Sequence, residues 1–314
     1  MPQRETLIIA NNFHPPTIAK LDADYDTVHL WKLNEEEKAS TLASLEGKCS
    51  AAASASWATD PLLYTLNSLS LIACFGVGVD GIDFKQTAIQ GIRVSNTPGV
   101  LDDAVADIAL GLILAVTRGL IGADAHARSG AWRSGPFTLG QGLAGKTLGI
   151  AGLGRIGLEV ARRAEAFKLN IAYHNRRRKD VGYTYCADLN ALARASDIVI
   201  NVLPGGPETT NILNASFFES LGAGNYFINV GRGQSVDEEA LIHALSTGVI
   251  AGAGLDVYAN EPHLPPSLTA LDNVVLLPHI GSATLQTRTA MGDLVRSNLA
   301  AHFAGEVLVS EFLP

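Results

Sequence analysis

The sequence predicts an α/β protein built on two parallel sheets, and two features of the chain support this fold class. Short apolar runs alternate with helix-length connections along most of the 314 residues, the pattern of parallel strands covered by helices. A Gly-x-Gly-x-x-Gly motif, Gly152–Gly157, begins near mid-chain after the apolar run Thr147–Ala151. The residues before it repeat the alternation and are too many to extend a single sheet. We therefore predict two Rossmann-like parallel-sheet domains with a cleft between them.

The composition is that of a globular chain with a large core. Apolar residues make up 47% and charged residues 17% of the sequence, which argues against disorder. The net charge of −8 disfavours nucleic acid and anionic membranes as partners. The three cysteines are widely spaced and predict neither a metal site nor a disulfide. Because there is no apolar signal core at the N-terminus and no span-length apolar segment, we expect a soluble, cytoplasmic protein.

The first third of the chain is expected to form one sheet. Pro15 and Pro16 can open a helix, since proline is tolerated in a first turn. Asn34 precedes three glutamates and is predicted to cap a second helix. The predicted strands are Thr6–Ala10, Thr27–Trp31, Ser50–Ser54, Ser70–Phe75 and Ile92–Val94.

The rest of the chain is expected to form the second sheet and to return at its end to the first domain. A long apolar helix is predicted over 101–116, a shorter one over 121–128 and a final one over 285–303. The second domain is therefore predicted to span 99–285, and the first to comprise 1–98 and 286–314. After the glycine motif, the predicted strands are Asn170–His174, Asp197–Leu203, Tyr226–Val230, Ala251–Val257 and Val274–Leu277.

The glycine motif predicts a dinucleotide-binding site. Its first glycine makes the sharp turn from strand to helix, the second lets the backbone approach a pyrophosphate, and the third lets helix and strand pack closely. The helix N-terminus adds N–H groups and the positive end of its dipole. The motif alone is weak in a chain with 31 glycines, so the strand before it and the helix after it carry the interpretation. Its residues are Gly152, Leu153, Gly154, Arg155, Ile156 and Gly157.

The residues after the next predicted strand favour NADP(H), without excluding NAD(H). An NAD-selective site places an acid about 20 residues after the glycines, against the ribose 2′-hydroxyl. Here Asn175 lies 18 residues after Gly157, and Arg176 and Arg177 follow it. No carboxylate is present to repel a 2′-phosphate, and the guanidinium groups can bind one. The alternative is that this basic run is a solvated turn.

Three polar side chains follow successive predicted strands of the second domain. Arg232 lies between two glycines, Glu261 precedes a proline, and His279 follows one. Ligands of open α/β sheets bind at the carboxyl ends of the strands. The three residues are therefore candidate catalytic groups: an anion-binding guanidinium, a proton donor and a carboxylate that keeps the donor protonated. Taken singly, Arg232 could form a surface salt bridge and His279 could be structural, but successive strand ends argue against coincidence.

Together these motifs resemble the D-isomer-specific 2-hydroxyacid dehydrogenase family, in particular its glyoxylate/hydroxypyruvate reductase and hydroxyphenylpyruvate reductase branch. The resemblance covers nearly the whole chain. It implies a split two-domain fold, with substrate bound by 1–98 and 286–314 and NAD(P) by 99–285, and it implies a homodimer. The segments that carry it are Phe75–Asp80, Asn96–Gly99, Gly152–Gly157, Asn229–Gly233, Asn260–Pro262 and Pro278–Ser282.

The resemblance also implies roles for individual residues in catalysis. His279 is expected to be the general acid of carbonyl reduction, with Glu261 as its partner. Arg232 is expected to bind the substrate carboxylate and carbonyl, and the backbone N–H groups of Val77 and Gly78 to hold the carboxylate. This agrees with the chemistry, because hydride addition builds negative charge on the carbonyl oxygen, which needs a positive donor beside it.

Further positions are assigned by the same resemblance. Asp256 is expected to hold the nicotinamide amide, and Ala53 and Ser54 to line the pocket for the substrate side chain. Phe137 stands where an aromatic residue reaches the neighbouring subunit's active site in related reductases, although packing within its own chain would explain it as well. Further cofactor contacts are predicted at Leu203, Pro204, Val230, Asp256, His279 and Gly281.

These features predict NADPH-dependent reduction of small 2-keto acids, glyoxylate and hydroxypyruvate, to D-2-hydroxy acids. Reduction of phenylpyruvate or hydroxyphenylpyruvate and an NAD-dependent D-2-hydroxyacid dehydrogenase are the alternatives. A non-catalytic, nucleotide-sensing corepressor on the same fold is a third. The missing acid near Asn175 argues against NAD dependence, and the set Arg232, Glu261 and His279 argues against a corepressor. No metal is expected.

Overall fold

The computed structural model describes residues 4–55 and 59–313. The chain divides into two compact units: the first runs to Leu101 and resumes at Thr284, and the second is Asp102–Ala283. The boundaries expected from the sequence are 98/99 and 285/286. Each unit contains one parallel sheet with helices, which confirms the predicted α/β fold class.

The predicted strands and helices coincide with the observed ones to within two residues at each end. In the described residues the strands are β1 (Thr6–Ile9), β2 (Asp26–His29), β3 (Cys49–Ala55), β4 (Leu71–Phe75), β5 (Arg93–Ser95), β6 (Thr147–Ala151), β7 (Asn170–His174), β8 (Thr184–Tyr185), β9 (Ile198–Asn201), β10 (Tyr226–Asn229), β11 (Gly252–Leu255) and β12 (Val274–Leu276). The α-helices are α1 (Pro15–Asp24), α2 (Glu35–Ser44), α3 (Phe84–Gln90), α4 (Asp102–Arg118), α5 (Leu120–Arg128), α6 (Arg155–Ala166), α7 (Leu189–Arg194), α8 (Ala215–Leu221), α9 (Glu238–Ser246), α10 (Pro266–Thr269) and α11 (Leu285–Phe303).

The first unit is organised around the buried strands β1, β3 and β4. Its sheet is parallel throughout, in the order β2-β1-β3-β4-β5, so the direction of sheet growth reverses between β1 and β3. Ligands of such sheets bind beyond the carboxyl ends of the strands at this point. Asn34 caps α2 as predicted: its Oδ1 accepts a hydrogen bond from Glu37 N at 2.9 Å, and Glu37 Oε2 accepts one from Asn34 N at 3.0 Å.

The second unit contains seven parallel strands in the order β12-β11-β10-β9-β6-β7-β8. The sheet grows from β6 towards β7 on one side and towards β9 on the other, so its switch point lies between β6 and β9. The glycine motif follows β6 and therefore lies at that point. The rings of Phe217, Phe218 and Phe227 meet edge to face in the core, with centroids 5.3–5.9 Å apart.

The long helix α4 belongs to the second unit. Ala106 and Ile113 are fully buried, as its apolar sequence predicts. Arg163 on α6 pairs with Asp103 and with Asp107 of α4, each at 2.7 Å. Within the described residues no single helix is long and apolar enough to cross a membrane. Helices α4 and α5 have the length and composition of a membrane span only when taken together, and the chain bends by 62° between them.

Two segments differ from the predicted strands for reasons that lie in the sheet. Leu30 and Trp31, predicted as the end of the second strand, belong to a turn of 3-10 helix, Leu30–Lys32. Strand β1 ends opposite His29, so the chain beyond His29 has no neighbouring strand to pair with. The short edge strand β8 is missing from the prediction, because two residues carry no apolar periodicity.

Candidate active site

The glycine motif forms the turn between β6 and α6. Gly152 has a φ of +99°, which favours glycine, and a Cβ there would lie 2.9 Å from the Val202 carbonyl oxygen. A Cβ at Gly157 would lie 2.5 Å from the Gly152 carbonyl oxygen, so the third glycine lets α6 pack against the turn. A Cβ at Gly154 would meet no atom within 4 Å. The three glycines thus meet the three requirements of a dinucleotide loop.

The first turn of α6 offers N–H groups to a pyrophosphate. Gly154 is the N-cap and has no side chain to bond them, and the first N–H groups of a helix have no acceptor within the helix. Arg155 and Ile156 begin this turn, and Arg155 is exposed. Leu153 is predicted to contact the cofactor, but its side chain is fully buried. Its N–H donates to Asn175 Oδ1 at 2.7 Å, so this N–H is not available to a phosphate.

Asn175 holds the glycine loop against the end of β7. Its Nδ2 also donates to the Leu153 carbonyl oxygen, at 3.3 Å, so its side-chain amide is engaged in the loop. Arg176 extends outwards and pairs with Glu208 at 2.6 Å, with 86% and 76% of the two side chains exposed; such a pair is weak. Arg177 is exposed as well. Two guanidinium groups therefore lie beyond β7, where the sequence predicts the ribose end of the cofactor.

Arg232 lies at the start of a 3-10 turn, Gly233–Ser235, that follows β10. The backbone of Tyr258 fills the space beside Gly233, where any side chain would overlap it. Arg232 Nη1 donates to the Gly231 carbonyl oxygen at 2.8 Å. The carbonyl oxygen of Arg232 accepts a hydrogen bond from Ser235 Oγ at 2.6 Å, so the backbone of this residue is fixed.

A buried polar network behind Arg232 is missing from the sequence prediction. Asn201 and Asn229, the last residues of β9 and β10, are buried together with Ser235. Asn201 Nδ2 donates to Asn229 Oδ1 at 2.9 Å and to Ser235 Oγ at 2.7 Å. Asn201 Oδ1 accepts from Leu203 N at 3.1 Å. The network therefore supports both the Arg232 turn and the loop after β9; its only sequence signal is an asparagine at the end of each apolar strand.

His279 and Glu261 form a direct pair. His279 Nδ1 lies 2.7 Å from Glu261 Oε2, and Nδ1 is the donor because an ionised carboxylate only accepts. Glu261 Oε1 accepts from Tyr258 N at 2.9 Å. Burial alone would raise the pKa of the Glu261 carboxyl, but the hydrogen bond and charge of His279, the Tyr258 N–H and the Arg232 charge together lower it. Glu261 is therefore ionised at neutral pH, and Nε2 of the half-exposed His279 is left for a ligand.

Asp256 fixes the turn that carries His279. His279 has a φ of +53°, a left-handed conformation that costs free energy for a non-glycine residue. The Asp256 carboxylate accepts from Ile280 N and from Gly281 N, each at 2.7 Å, and its carbonyl oxygen accepts from His279 N at 2.9 Å. Burial raises the pKa of Asp256 despite these hydrogen bonds. Asp256 thus positions His279, and its predicted contact with a nicotinamide would be additional.

In the first unit, Val77 and Gly78 lie in the loop after β4. Two carbonyl oxygens of this loop accept hydrogen bonds from Asn96 and Thr97. Thr97 N donates to the Gly76 carbonyl oxygen at 2.9 Å, and Asn96 Nδ2 donates to the Val77 carbonyl oxygen at 2.8 Å. Among the described residues, the N–H groups of Val77 and Gly78 have no acceptor. Neighbouring backbone donors of this kind bind anions. Asn96 is thus a supporting residue that lies inside a recognised motif without a predicted role.

Ala53 and Ser54 do not line a pocket, contrary to expectation. Both are fully buried, because β3 continues to Ala55 rather than ending at Ser54. Asn11 Oδ1 accepts two hydrogen bonds, from Ser54 Oγ at 2.8 Å and from Ala55 N at 2.9 Å. These residues tie β3 to the loop after β1.

The predicted residues of the second unit all follow strands at the carboxyl edge of one parallel sheet. Val77 and Gly78 belong to the first unit. The residues at this edge are Gly152–Gly157 after β6, Asn175–Arg177 after β7, Leu203 and Pro204 after β9, Val230 and Arg232 after β10, Asp256 and Glu261 after β11, and His279 and Gly281 after β12.

Comparison with known proteins identifies the family. A model of the D-isomer specific 2-hydroxyacid dehydrogenase, NAD binding domain, matches residues 110–281. The chain is 48% identical over 250 residues to hydroxyphenylpyruvate reductase of Plectranthus scutellarioides, covering 79% of this chain and 80% of that protein. It is 43% identical over 297 residues to glyoxylate/hydroxypyruvate reductase A of Arabidopsis thaliana, covering 93% of each. An NADPH-dependent glyoxylate/hydroxypyruvate reductase of Sinorhizobium meliloti, solved with NADP and malonate, superposes with a TM-score of 0.92 at 42% identity, covering 99% of this chain and 97% of that one. The chain therefore belongs to the D-isomer specific 2-hydroxyacid dehydrogenases, NAD(P)-dependent oxidoreductases, as its motifs indicate.

Proposed function

We propose that this chain reduces small 2-keto acids, glyoxylate and hydroxypyruvate first, to D-2-hydroxy acids with NADPH. The observation that carries the proposal is the 2.7 Å pair between His279 Nδ1 and Glu261 Oε2. The charge of Arg232 acts on the same carboxylate, so a proton donor and an anion-binding cation share one end of the sheet. The names of the Arabidopsis and Sinorhizobium relatives support this substrate class.

Each candidate residue has a task in this reaction. Reduction of a carbonyl builds negative charge on its oxygen, which needs a proton and a positive neighbour. Protonated His279 donates the proton from Nε2, while Glu261 stabilises the charged imidazole at Nδ1. Arg232 binds the substrate carboxylate and polarises the carbonyl, and the N–H groups of Val77 and Gly78 bind the carboxylate. In the reverse direction, neutral His279 accepts the proton.

We assign NADP(H) in preference to NAD(H). The glycine loop and the first turn of α6 hold the pyrophosphate, and bound NADPH supplies the hydride. Arg176 and Arg177 bind the 2′-phosphate, with Arg176 leaving its weak pair with Glu208, since phosphate is a stronger partner for a guanidinium. The residues assigned to the cofactor are Gly152, Gly154, Arg155, Ile156, Gly157, Asn175, Arg176, Arg177, Leu203, Pro204, Val230, Asp256, His279 and Gly281.

Reduction of hydroxyphenylpyruvate is the second candidate. The 48% identity to the Plectranthus enzyme favours it. An NAD-dependent dehydrogenase of another D-2-hydroxy acid fits less well, because no carboxylate stands at Asn175 to bind a ribose 2′-hydroxyl. A corepressor role does not require the pair of His279 and Glu261.

We assign substrate binding to the first unit, which carries Val77 and Gly78, and cofactor binding to the second, which carries the glycine motif. By the boundaries predicted from the sequence, the substrate-binding unit is residues 1–98 with 286–314, and the cofactor-binding unit is residues 99–285. The buried, unpaired cysteines suit a reducing compartment. We therefore place the protein in the cytoplasm.

We further propose that the chain forms a homodimer through α5 and the segment that follows it. No residue of α5 is buried, and a cluster of exposed large apolar side chains on one segment marks a protein–protein contact. Phe137 packs against the start of α5 in its own chain, where a Cβ added to Gly119 or to Gly122 would lie 3.3 Å from its ring. The exposed apolar side chains are Leu120, Ile121, Trp132 and Leu139.

One panel of substrates and cofactors tests the proposed function. The purified chain is assayed with glyoxylate, hydroxypyruvate and hydroxyphenylpyruvate, each with NADPH and with NADH. We expect the highest kcat/KM for glyoxylate or hydroxypyruvate with NADPH, at least about 10-fold above NADH, the effect of one good charged contact. A higher kcat/KM with NADH would contradict the cofactor assignment. A maximum on hydroxyphenylpyruvate would establish the second candidate instead.

A further inference from the structure

In the first unit, Arg288 lies over the ring of Phe75. Its guanidinium carbon is 5.6 Å from the centroid of that ring, and the imidazole of His14 is stacked on the same ring at 5.5 Å. Phe75 is fully buried and is the last residue of β4. It directly precedes the Gly76–Gly78 loop, whose backbone donors have no acceptor in the described residues. A cation and an imidazole therefore flank the start of the proposed carboxylate-binding loop.

The surroundings of Arg288 are unfavourable for a cation. Burial lowers the pKa of its guanidinium, and no carboxylate of residues 4–55 and 59–313 forms an ion pair with it. Arg288 lies near the start of α11, whose first turn has no acidic residue, and the positive end of a helix dipole disfavours a further cation. A bound anion would relieve each of these costs.

His14 adds a neutral polar group to this site. Burial, followed by the charges of Arg288 and Lys20, lowers the pKa of its imidazole. His14 is therefore neutral at pH 7, and it lies 2.8 Å from Thr17 Oγ1 through Nδ1. The imidazole thus adds hydrogen-bonding capacity beside Arg288 without a competing charge.

Two other arginines of the first unit are neutralised by acids. Arg296 on the same helix α11 pairs with Asp24 at 2.8 Å, and Arg93 pairs with Glu311 at 2.7 Å. Arg288 instead uses an aromatic face, which keeps a guanidinium in place without consuming its donors. This is the arrangement expected of a cation that binds a ligand.

We propose that Arg288, supported by Phe75 and His14, binds the oxygen-bearing group that a 2-keto acid carries on C3. The proposal rests on the proposed function and deepens it: in the first unit, Val77 and Gly78 bind the carboxylate that all 2-keto acids share, and Arg288 distinguishes the group that they carry on C3. The chemistry recognised is an oxygen that accepts from a guanidinium. A second carboxylate is bound more tightly than a hydroxyl, because its hydrogen bonds are charge-assisted on both sides.

The test compares substrates with and without an oxygen on the C3 substituent. Arg288→Met is assayed with NADPH on glyoxylate and pyruvate, which lack this oxygen, and on hydroxypyruvate and oxaloacetate, which carry a hydroxyl and a carboxylate. We expect kcat/KM to fall about 10-fold or more for hydroxypyruvate, further for oxaloacetate, and less than about threefold for glyoxylate and pyruvate. Arg296→Met, the same change on the same helix, should show no such selectivity.

An equal fall on all four substrates, or no fall on any, would overturn the proposal, because Arg288 would then serve the fold or the shared carboxylate. Circular dichroism and the Tm show whether Arg288→Met is folded. If it is not, Arg288→Lys carries the test: lysine keeps the charge but loses the planar fork, so the same selective loss, smaller in size, is expected.

Failure of the proposed function can be told apart from failure of this proposal. If the wild-type chain reduces none of the four substrates, the proposed function fails, and calorimetry with malonate and acetate still tests Arg288. Malonate binding by the wild type that is lost in Arg288→Met, with acetate binding unaltered, would support the Arg288 site. Malonate binding that is absent in the wild type, or equal in both chains, would overturn it.

Discussion

The carboxylate of Glu261 gives His279 a charged hydrogen-bond partner. Replacing it with glutamine keeps the shape of the side chain but removes the negative charge 2.7 Å from His279 Nδ1. The hydrogen bond that remains is then no longer charge-assisted, and charge-assisted hydrogen bonds are the stronger ones. For Glu261→Gln we expect kcat/KM for glyoxylate reduction to fall about 10-fold or more.

Glu239→Gln is the matched control, because it makes the same change on an exposed residue of α9 and should leave kcat/KM unaltered. An unaltered kcat/KM in Glu261→Gln would mean that His279 works without this charged partner. Glu261 also makes the stability of the protein depend on pH. Because the pKa of Glu261 is lowered in the fold, its ionised form stabilises the protein above the ordinary value of 4.5. This contribution is lost as the pH falls through the lowered value, a loss that the variant should not show.

At the scale of residues, the sequence predicts the reacting groups but not the residues that position them. His279 and Glu261 each follow a strand inside a motif, and the structure places their side chains in contact. Asn201 and Asn229 are 28 residues apart in the chain and become neighbours only because β9 pairs with β10. The hydrogen bonds from the His279 turn to Asp256 likewise form because the ends of β11 and β12 are adjacent. The spacing of these residues along the chain does not reveal that adjacency.

At the scale of elements, the turn between β6 and α6 separates two functions of glycine. Gly157→Ala places a methyl group 2.5 Å from the Gly152 carbonyl oxygen, so α6 must move, and the free energy of unfolding should fall by about 1–3 kcal/mol. Gly154→Ala meets no atom within 4 Å and has an ordinary φ of −84°. We expect it to keep the stability and to weaken NADPH binding, because the methyl group occupies the space assigned to the pyrophosphate. Urea unfolding and fluorescence titration with NADPH measure the two effects.

Gly111→Ala is the control for both variants. Gly111 is exposed on α4, and a Cβ there would meet no atom within 4 Å, so alanine should raise the free energy of unfolding by about 0.5–1 kcal/mol and leave NADPH binding unaltered. Undiminished NADPH affinity in Gly154→Ala would contradict the pyrophosphate assignment. Undiminished stability in Gly157→Ala would show that α6 shifts at little cost.

Elements with strong sequence patterns are the predictable ones. Strand β4 is a continuous apolar run and is buried throughout, as expected for an inner strand of a parallel sheet. The Asn34 cap of α2 is predictable because its partners are local. The 3-10 turn Leu30–Lys32 and strand β8 are decided instead by where a neighbouring strand stops or starts, which is not encoded in their own residues.

At the scale of the whole molecule, two sheets are predictable because two alternating series flank the mid-chain glycine motif. The order of strands within each sheet is not, since alternating strands and helices are compatible with several parallel orders. That order is what matters for the site: it brings the strand ends before Asn175, Leu203, Arg232, Asp256 and His279 to one edge of a single sheet. Motifs, spacing and the family resemblance identify these residues, but only the topology shows that one edge carries them all.

The exposed apolar side chains of α5 and its following segment make the assembly a testable property. Ile121→Ser with Trp132→Ser removes two of the largest exposed apolar groups there and should raise the dimer dissociation constant about 10-fold or more, as expected for central interface residues. Sedimentation equilibrium over a range of concentrations measures it. Ile89→Ser on α3, a side chain that is 78% exposed, is the control and should leave association unaltered. A wild-type chain that stays monomeric at tens of micromolar would refute the dimer. A dimer weakened by Ile89→Ser but not by the double variant would locate the interface on the first unit. The exposed apolar side chains of α5 and its following segment would then not be the dimer contact.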